Sequence, residues 1–376
     1  MKNRHLFFII LAGGLFILLS FGFYTLVIKQ HKPVYQANIS NVLASGLTDD
    51  AYAKAIEPRK FTFPKDAGPH PQFRSEWWYY TGNLTDDSNR QFGYQLTLFR
   101  QAIHPEKPKP GSKWRSSQIY MGHFAVTDVR ENKFYSFNRM TRQAANLAGA
   151  QSDPYRVWVE NWEVSGDFRS PVLKASEEGI TINLKLNSEK PEVLQGNQGL
   201  SQKSKGIGNA SYYFSQTRLR TTGTIQIHDH QYSVNGNSWL DREWSTSILS
   251  KNETGWDWFS LQLQDNRELM LFVIRQKNGA ISPYSAGTLV FSDNRTLHLK
   301  KGDFTIQTLD NWVSPKTKIK YPSRWQISIP EADIQLDITP TIKNQEHTHN
   351  FIYWEGAVKV TGESQNGKGY VELVGY

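Results

Sequence analysis

The sequence predicts a nearly all-β chain behind an apolar amino-terminal segment, and three observations predict it. Alternating apolar and polar residues, broken by turn signals at short intervals, run from Phe61 to the carboxyl terminus. No stretch there sustains a 3.6-residue helical period. Aromatic residues are dense, with 12 Trp, 17 Tyr and 20 Phe in 376 residues, and such side chains favour strands and apolar pockets. At roughly 100–200 residues per domain, the length leaves room for two compact domains or one large one. The strand count fits two antiparallel sandwiches or barrels.

The first element is Leu6 to Ile28, an uncharged run of 23 residues. As a helix it spans about 34 Å, enough for the hydrocarbon core of a bilayer. Lys2 and Arg4 precede it, so the positive-inside rule places the short amino end in the cytoplasm and the rest of the chain outside. A cleaved signal peptide is the competing reading, but the run exceeds a usual h-region and no A-x-A-like site follows. Residues 1–32 are therefore read as a signal anchor in the inner membrane, with the remainder in the periplasm or outside the cell. Residues 33–60 read as a tether in which Asp49–Glu57 forms a short helix before Pro58.

Glu76–Leu84 and Gln91–Arg100 form a predicted hairpin across Asp86-Asp87-Ser88-Asn89. Further strands are expected at Ile119–Val129, Val157–Phe168, Thr181–Leu186, Ala210–Arg220, Gly223–Ile227, Tyr232–Trp239, Asp257–Leu263, Leu269–Arg275, Ser285–Phe291, Trp325–Ile329, Tyr353–Val360 and Tyr370–Val374. His104–Lys113, with its prolines and lysines, and Gln195–Asn209, rich in Gly, Ser, Gln and Lys, are expected as solvated connections or lids.

The chain has no cysteine, which excludes disulfides, thiolate nucleophiles, Cys-ligated metals and lipoprotein acylation. A net charge of +8 over this length is modest and gives no nucleic-acid footprint. There is no Walker loop, Rossmann fingerprint, zincin motif or G-x-S-x-G elbow. His228-x-His230 and His347-x-His349 each offer two imidazoles without a third ligand, so no metal is expected.

Ser238 to Trp244 is the most suggestive segment. On a strand, Trp239, Asp241 and Glu243 share one face while Leu240, Arg242 and Trp244 share the other. Burial and like-charge proximity would raise a carboxyl pKa and leave a general acid; alternatively, Arg242 or another cation neutralises both acids in a structural cluster. Arg74 to Tyr80 has the same character, with Glu76, Trp78 and Tyr80 on one face. His123 is either a structural histidine or a pH-responsive partner of Glu76 or Asp241. Trp256 and Trp258 share a strand face, suited to lining an apolar ligand, to stabilising a passing cation, or to packing between sheets.

Phe63-Pro64-x-Asp66, Glu76 to Leu84, Gly93 to Arg100, Gly122 to Asp128, Asn209 to Tyr213, Trp239 to Trp244, Gly255 to Trp258 and Tyr353 to Gly356 together resemble the AttH family. That family is the secreted branch of a lipocalin-like group that includes carotenoid 1,2-hydratase. The resemblance runs from about Phe61 to the carboxyl terminus. It implies two lipocalin-like, calycin-type β-domains side by side, 61–246 and 247–376, with the boundary after Trp244. Small barrels of this kind enclose one lipophilic ligand.

In the hydratase, an aspartate of a Tyr-x-Asp segment is thought to protonate an isoprenoid double bond. Asp241 matches it, with Trp239 where the tyrosine stands. Tyr212 and Phe214 stand where the hydratase has a His-x-Trp pair, which keeps an aromatic wall and removes an imidazole. The resemblance thus implies a hydro-lyase-like activity without a cofactor. Asp241, Glu243, His123 and Glu76 would be its acid and proton-handling groups. Trp78, Tyr94, Tyr212, Phe214, Trp239, Arg242, Trp256 and Trp258 would line the ligand, with Arg242 and Glu243 tuning the acid. The expected partner is a large apolar isoprenoid or lipid. The alternative is a non-enzymatic lipid carrier or an accessory of an envelope transporter. The label of secreted hydrolase often given to the family would need a nucleophile or metal that the sequence does not locate.

Overall fold

The computed structural model describes residues 51–104, 115–246, 250, 252–363 and 365–376. The expected membrane segment Leu6–Ile28, the first part of the tether and most of the His104–Lys113 loop lie outside the described residues. Among the described residues no helix is long and apolar enough to cross a membrane.

The described chain is all-β, arranged as two antiparallel sheets. The first contains β1 (Ser75–Asp86), β2 (Gln91–Ala102), β3 (Gln118–Asp128), β4 (Lys133–Arg142), β5 (Ala148–Ser152), β6 (Tyr155–Val159), β7 (Trp162–Asp167), β8 (Ser170–Glu177), β9 (Ile180–Ser188), β10 (Val193–Leu194), β11 (Leu200–Gln202), β12 (Ala210–Ile227) and β13 (His230–Ser245). Its order is β4-β3-β2-β1-β13-β12-β9-β8-β7-β6-β5, with β10 and β11 added beside β12. This sheet coils until β6 packs across β2, β3 and β4, so it is a nearly closed barrel.

The second contains β14 (Glu253–Leu263), β15 (Glu268–Gln276), β16 (Ala286–Val290), β17 (Thr296–Lys300), β18 (Thr305–Val313), β19 (Lys320–Ile329), β20 (Ile334–Pro340), β21 (Glu346–Thr348), β22 (Ile352–Gly362) and β23 (Gly367–Val374). Its order is β17-β16-β15-β14-β23-β22-β20-β19-β18, and it forms a half-barrel.

Alternation along the strands sorts most buried apolar side chains into three layers, and a small fourth cluster gathers Met121, Phe351, Tyr353 and Val374. Trp78, Tyr80, Tyr94, Leu96, Phe124, Trp162, Phe214 and Leu240 fill the concave face of the first sheet. Phe259, Leu261, Trp325, Ile327, Trp354 and Val371 fill that of the second. A third layer, with Tyr79, Tyr213, Trp239, Trp258, Met270, Phe272 and Tyr370, lies in the seam where the outer faces of the two sheets meet. The seam is close at its middle: a Cβ on Gly93 of β2 would come within 2.7 Å of the Ala357 Cβ on β22.

Several expectations change. Residues 51–57 of the expected helix form a turn and extended chain. Val157–Phe168 is two strands, because Glu160 turns the chain with φ 57°. Ala210–Arg220 and Gly223–Ile227 are one strand, because pairing with β13 runs on through Thr221 and Thr222; its one irregularity is a bulge further back, between Gln216 and Leu219. Gln195–Asn209 is not a solvated connection. Gln195, Ser201, Lys203 and Ser204 are buried, and β11 pairs with β12.

Candidate functional site

β13 runs unbroken through the segment singled out from sequence, so alternation acts on it as expected. Trp239, Asp241 and Glu243 face the seam, while Leu240, Arg242 and Trp244 face the first sheet's interior. The register sets Ser215 of β12 opposite Asp241 and Tyr213 opposite Glu243, and this places two hydroxyls on the acid's face.

Asp241 is 3 % exposed. Its Oδ1 accepts hydrogen bonds from the Ser215 hydroxyl at 2.5 Å and from the Trp239 indole at 2.7 Å, and Oδ2 accepts one from the Tyr213 hydroxyl at 2.5 Å. The Trp258 indole of the second sheet donates to that same tyrosine oxygen at 3.3 Å. Burial pushes the Asp241 carboxyl up to about 7; the charge of Glu243 adds to this, and the three donors oppose it. Glu243 accepts from the Ser211 hydroxyl and pairs with Lys203 at 3.1 Å. The Lys203 ammonium lies 4.2 Å from the Phe272 ring centroid.

The second sheet brings two more acids. Glu355 and Glu372 stand directly opposite each other across β22 and β23. Like charges facing each other across a ladder destabilise the charged pair. Burial pushes Glu372 up to about 7, reinforced by Asp241 and Glu243 and opposed by the Trp256 indole, which donates to it at 2.8 Å. Burial and the charge of Glu372 push Glu355 well above the usual carboxylate range. Glu355 accepts from the Tyr79 hydroxyl, and its other oxygen is buried without a hydrogen-bond partner. Trp77, Trp256, Tyr284 and Glu372 are only half-buried and form the solvent edge.

The other expected site residues separate into two distinct clusters. Glu76 lies fully buried inside the first sheet, between the guanidinium groups of Arg100 and Arg242. Burial disfavours its charge, but the two arginines overcome this and hold the carboxyl well below its usual range. Arg242 also donates to Gly68 O at 2.6 Å and stacks 4.0 Å from the Trp78 ring. Arg242 therefore turns its side chain away from Asp241 and Glu243 and neutralises neither; odd and even positions of one strand point to opposite faces. Trp78, Tyr94, Tyr212 and Phe214 lie in that same interior.

His123 belongs to a third group. Its Nδ1 is 2.7 Å from the Tyr353 hydroxyl, and the His347 ring stacks on Tyr353 at 4.4 Å between centroids. Burial, with the charge of His349 second, lowers His123 to about 3, so it is neutral at physiological pH. Among the described residues no group of three or more His, Cys, Asp or Glu could hold a metal ion.

Of the expected residues, the structure brings Asp241, Glu243, Trp239, Trp256 and Trp258 together. Tyr213, Ser215, Ser211, Lys203, Tyr79, Glu355 and Glu372 complete the group. Tyr213 and Ser215 are one position off the Tyr212 and Phe214 pair chosen by spacing, so the face alternation applied to β13 would have found them once the register was known. No sequence signal joins Glu355 and Glu372 to this face before the two sheets are docked.

The family model described as AttH-like matches residues 54–376. An AttH structure from Nitrosomonas europaea is similar at 32% identity, covering 86% of this chain and 99% of that chain with a TM-score of 0.78. Kievitone hydratase from Nectria haematococca is similar at 15% identity, covering 86% of this chain and 98% of that chain with a TM-score of 0.64. CghA is similar at 13% identity, covering 88% and 96% with a TM-score of 0.52. These last two likenesses are of fold. No curated protein matches the chain. Motifs spread through both sheets, a family match reaching the last residue and a relative about one-third identical agree, and the chain belongs to the AttH-like family.

Proposed function

We propose that the seam around Asp241 binds a large apolar, unsaturated molecule, an isoprenoid or lipid, and catalyses its acid-assisted hydration or isomerisation. In this reading the two sheets are lipocalin-like domains, held at a membrane by Leu6–Ile28 and facing away from the cytoplasm. One observation carries it: a carboxyl that burial lifts to about 7 stands in a wall of Tyr79, Tyr213, Trp239, Trp258 and Phe272. A carboxyl poised near the working pH is a far better proton donor than one ionised at its ordinary value.

Asp241 gives its proton to one carbon of a double bond, and the neighbouring carbon becomes a cation. Aromatic faces stabilise that charge. Water then adds to the cation and returns a proton to the carboxylate, which is hydration; loss of an adjacent proton to the carboxylate instead gives the isomer. Both routes restore the acid and need no cofactor. The fold is shared with a protein named kievitone hydratase, but at 15% identity that likeness supports the architecture and not the reaction.

A carrier reading has one specific observation in its favour. Asp241 accepts three hydrogen bonds and Glu243 has two partners, so the same acids fasten β12 to β13. Mass spectrometry of lipid extracted from the purified full-length chain separates the readings. Turnover predicts chemically altered ligand with the parent and unaltered ligand with Asp241→Asn. Unaltered ligand with both proteins, followed over time, establishes the carrier.

A further inference from the structure

The seam has a second opening, chemically opposite to the acidic one. A half-open cleft of about 740 Å³ lies between the sheets where β1, β13, β14, β22 and β23 meet. Its lining contains Arg218, Lys359 and Lys368 and no carboxylate. Arg218 is paired with Glu268, its Nε lying 2.5 Å from Oε1, and shares that carboxylate with Lys190. Lys359 and Lys368 have no ion-pair partner among the described residues, and the register sets them directly opposite each other across β22 and β23.

Two ammonium groups facing across a ladder repel each other, and sheets ordinarily avoid this arrangement. Lys368 is half-buried and desolvation lowers its pKa, which adds to the cost of its charge. Around the pair stand amides. Asn83 donates to Gly369 O at 3.0 Å, whereas the side chains of Asn237 and Gln264 make no hydrogen bond among the described residues. The cleft therefore presents two uncompensated positive charges, free amide donors and no competing acid.

We propose that this cleft is a binding site for a small hydrophilic anion, a phosphate or carboxylate group, held between Lys359 and Lys368 and oriented by Asn237 and Gln264. An anion between the ammonium groups relieves their repulsion through charge-assisted hydrogen bonds, which are roughly twice as strong as neutral ones. The site is separate from the acid-bearing end. Lys368 and Glu372 are four residues apart on one strand, about 13 Å. Between the two ends Thr81, Ala357 and Tyr370 are each 1 % exposed, so the seam is closed there.

The test is calorimetric titration of the detergent-solubilised full-length chain with inorganic phosphate and, separately, with succinate. Saturable binding of either is expected, weakened at least about tenfold in the double variant Lys359→Gln, Lys368→Gln. Response to phosphate alone assigns a phosphoryl ligand, and response to succinate alone a carboxylate. Thermal melting without anion checks the fold, and removing the repulsion should leave the variant at least as stable as the parent. Absence of binding by both anions, or binding that survives the double substitution, overturns the proposal. Asp241→Asn should bind the anion unchanged, so failure here is distinguishable from failure of the acid reading.

Discussion

Replacing Asp241 with Asn should change how stability depends on pH, by an amount that follows from the burial of this carboxyl. The folded chain holds the proton up to about 7, against an ordinary value of 3.8. The unfolded chain releases it first, so each rise in pH between the two values favours unfolding. The stability that protonated Asp241 contributes is complete below about pH 4 and is lost as pH rises through the folded-state value. Between pH 5 and pH 8 the linkage relation gives a loss of about 2.5 kcal/mol from this group alone. Asparagine keeps the acceptor that faces Ser215 and Trp239 and turns an amide toward the Tyr213 oxygen, at a pH-independent cost of about 1 kcal/mol. Urea unfolding followed by tryptophan fluorescence at pH 5 and pH 8 measures both proteins. The variant should lose about 2.5 kcal/mol less than the parent across that interval. Equal losses would refute the reasoning, because they would mean that Asp241 ionises in the folded state much as it does in the unfolded chain.

Arg242→Met leaves Glu76 buried beside one guanidinium instead of two, and urea unfolding should show a loss of about 3–5 kcal/mol. A loss below about 1 kcal/mol would contradict the assignment of Arg242 to Glu76. Gly93→Ala forces a methyl against Ala357 at 2.7 Å and Tyr370 Oη at 3.0 Å, whereas Gly302 has nothing within 4 Å. The first substitution should cost about 1–3 kcal/mol and the second should be near neutral in the same assay. Trp258→Ala removes a donor to Tyr213 and part of the apolar wall, and lipid recovered with the purified protein should fall several-fold; unchanged recovery would place the ligand elsewhere. His123 is held neutral with its pKa lowered to about 3. The unfolded chain takes up that proton first as pH falls, so neutral His123 supports folding above its ordinary value of 6.5 and this support is lost on acidification. Its ring resonances should show no titration from pH 8 to pH 5, and a midpoint in that range would contradict the burial argument.

Strand alternation made much of this legible before any coordinates. The split of Trp239, Asp241 and Glu243 from Leu240, Arg242 and Trp244 depends only on β13 being regular, and it is. The hairpin of β1 and β2 was equally visible, because a turn-rich Asp-Asp-Ser-Asn joins two long aromatic strands. Weakly patterned strands escaped notice. β4 (Lys133–Arg142) is mostly half-exposed, and β18 (Thr305–Val313) is largely polar and solvent-facing. Neither carries a clean apolar stripe. Thr221-Thr222-Gly223 read as a break between two strands, yet the ladder to β13 continues through them, with Gly223 at φ 149°.

The site was half legible for a different reason. Sequence gives parity along a strand but not the register between strands or the docking of two sheets. Glu76 and His123 are acid and base candidates by residue type, yet long-range contacts with Arg100, Arg242 and Tyr353 decide their state. Glu355 lies in a family motif that assigns it no role and Glu372 carries no local signal; both become acids of the site only because β22 and β23 face β1 and β13 across the seam. Lys359 and Lys368 are likewise ordinary surface-strand lysines until the ladder sets them opposite each other.

The protonation state of residue 241 is accessible directly. Carboxyl-labelled aspartate, observed by carbon NMR while the folded chain is titrated and assigned by its absence from Asp241→Asn, reports a single midpoint for that side chain. A midpoint near 7 is the expected result. A midpoint near the ordinary aspartate value of 3.8 would contradict the account, since the seam would then hold a permanent carboxylate with no proton to give.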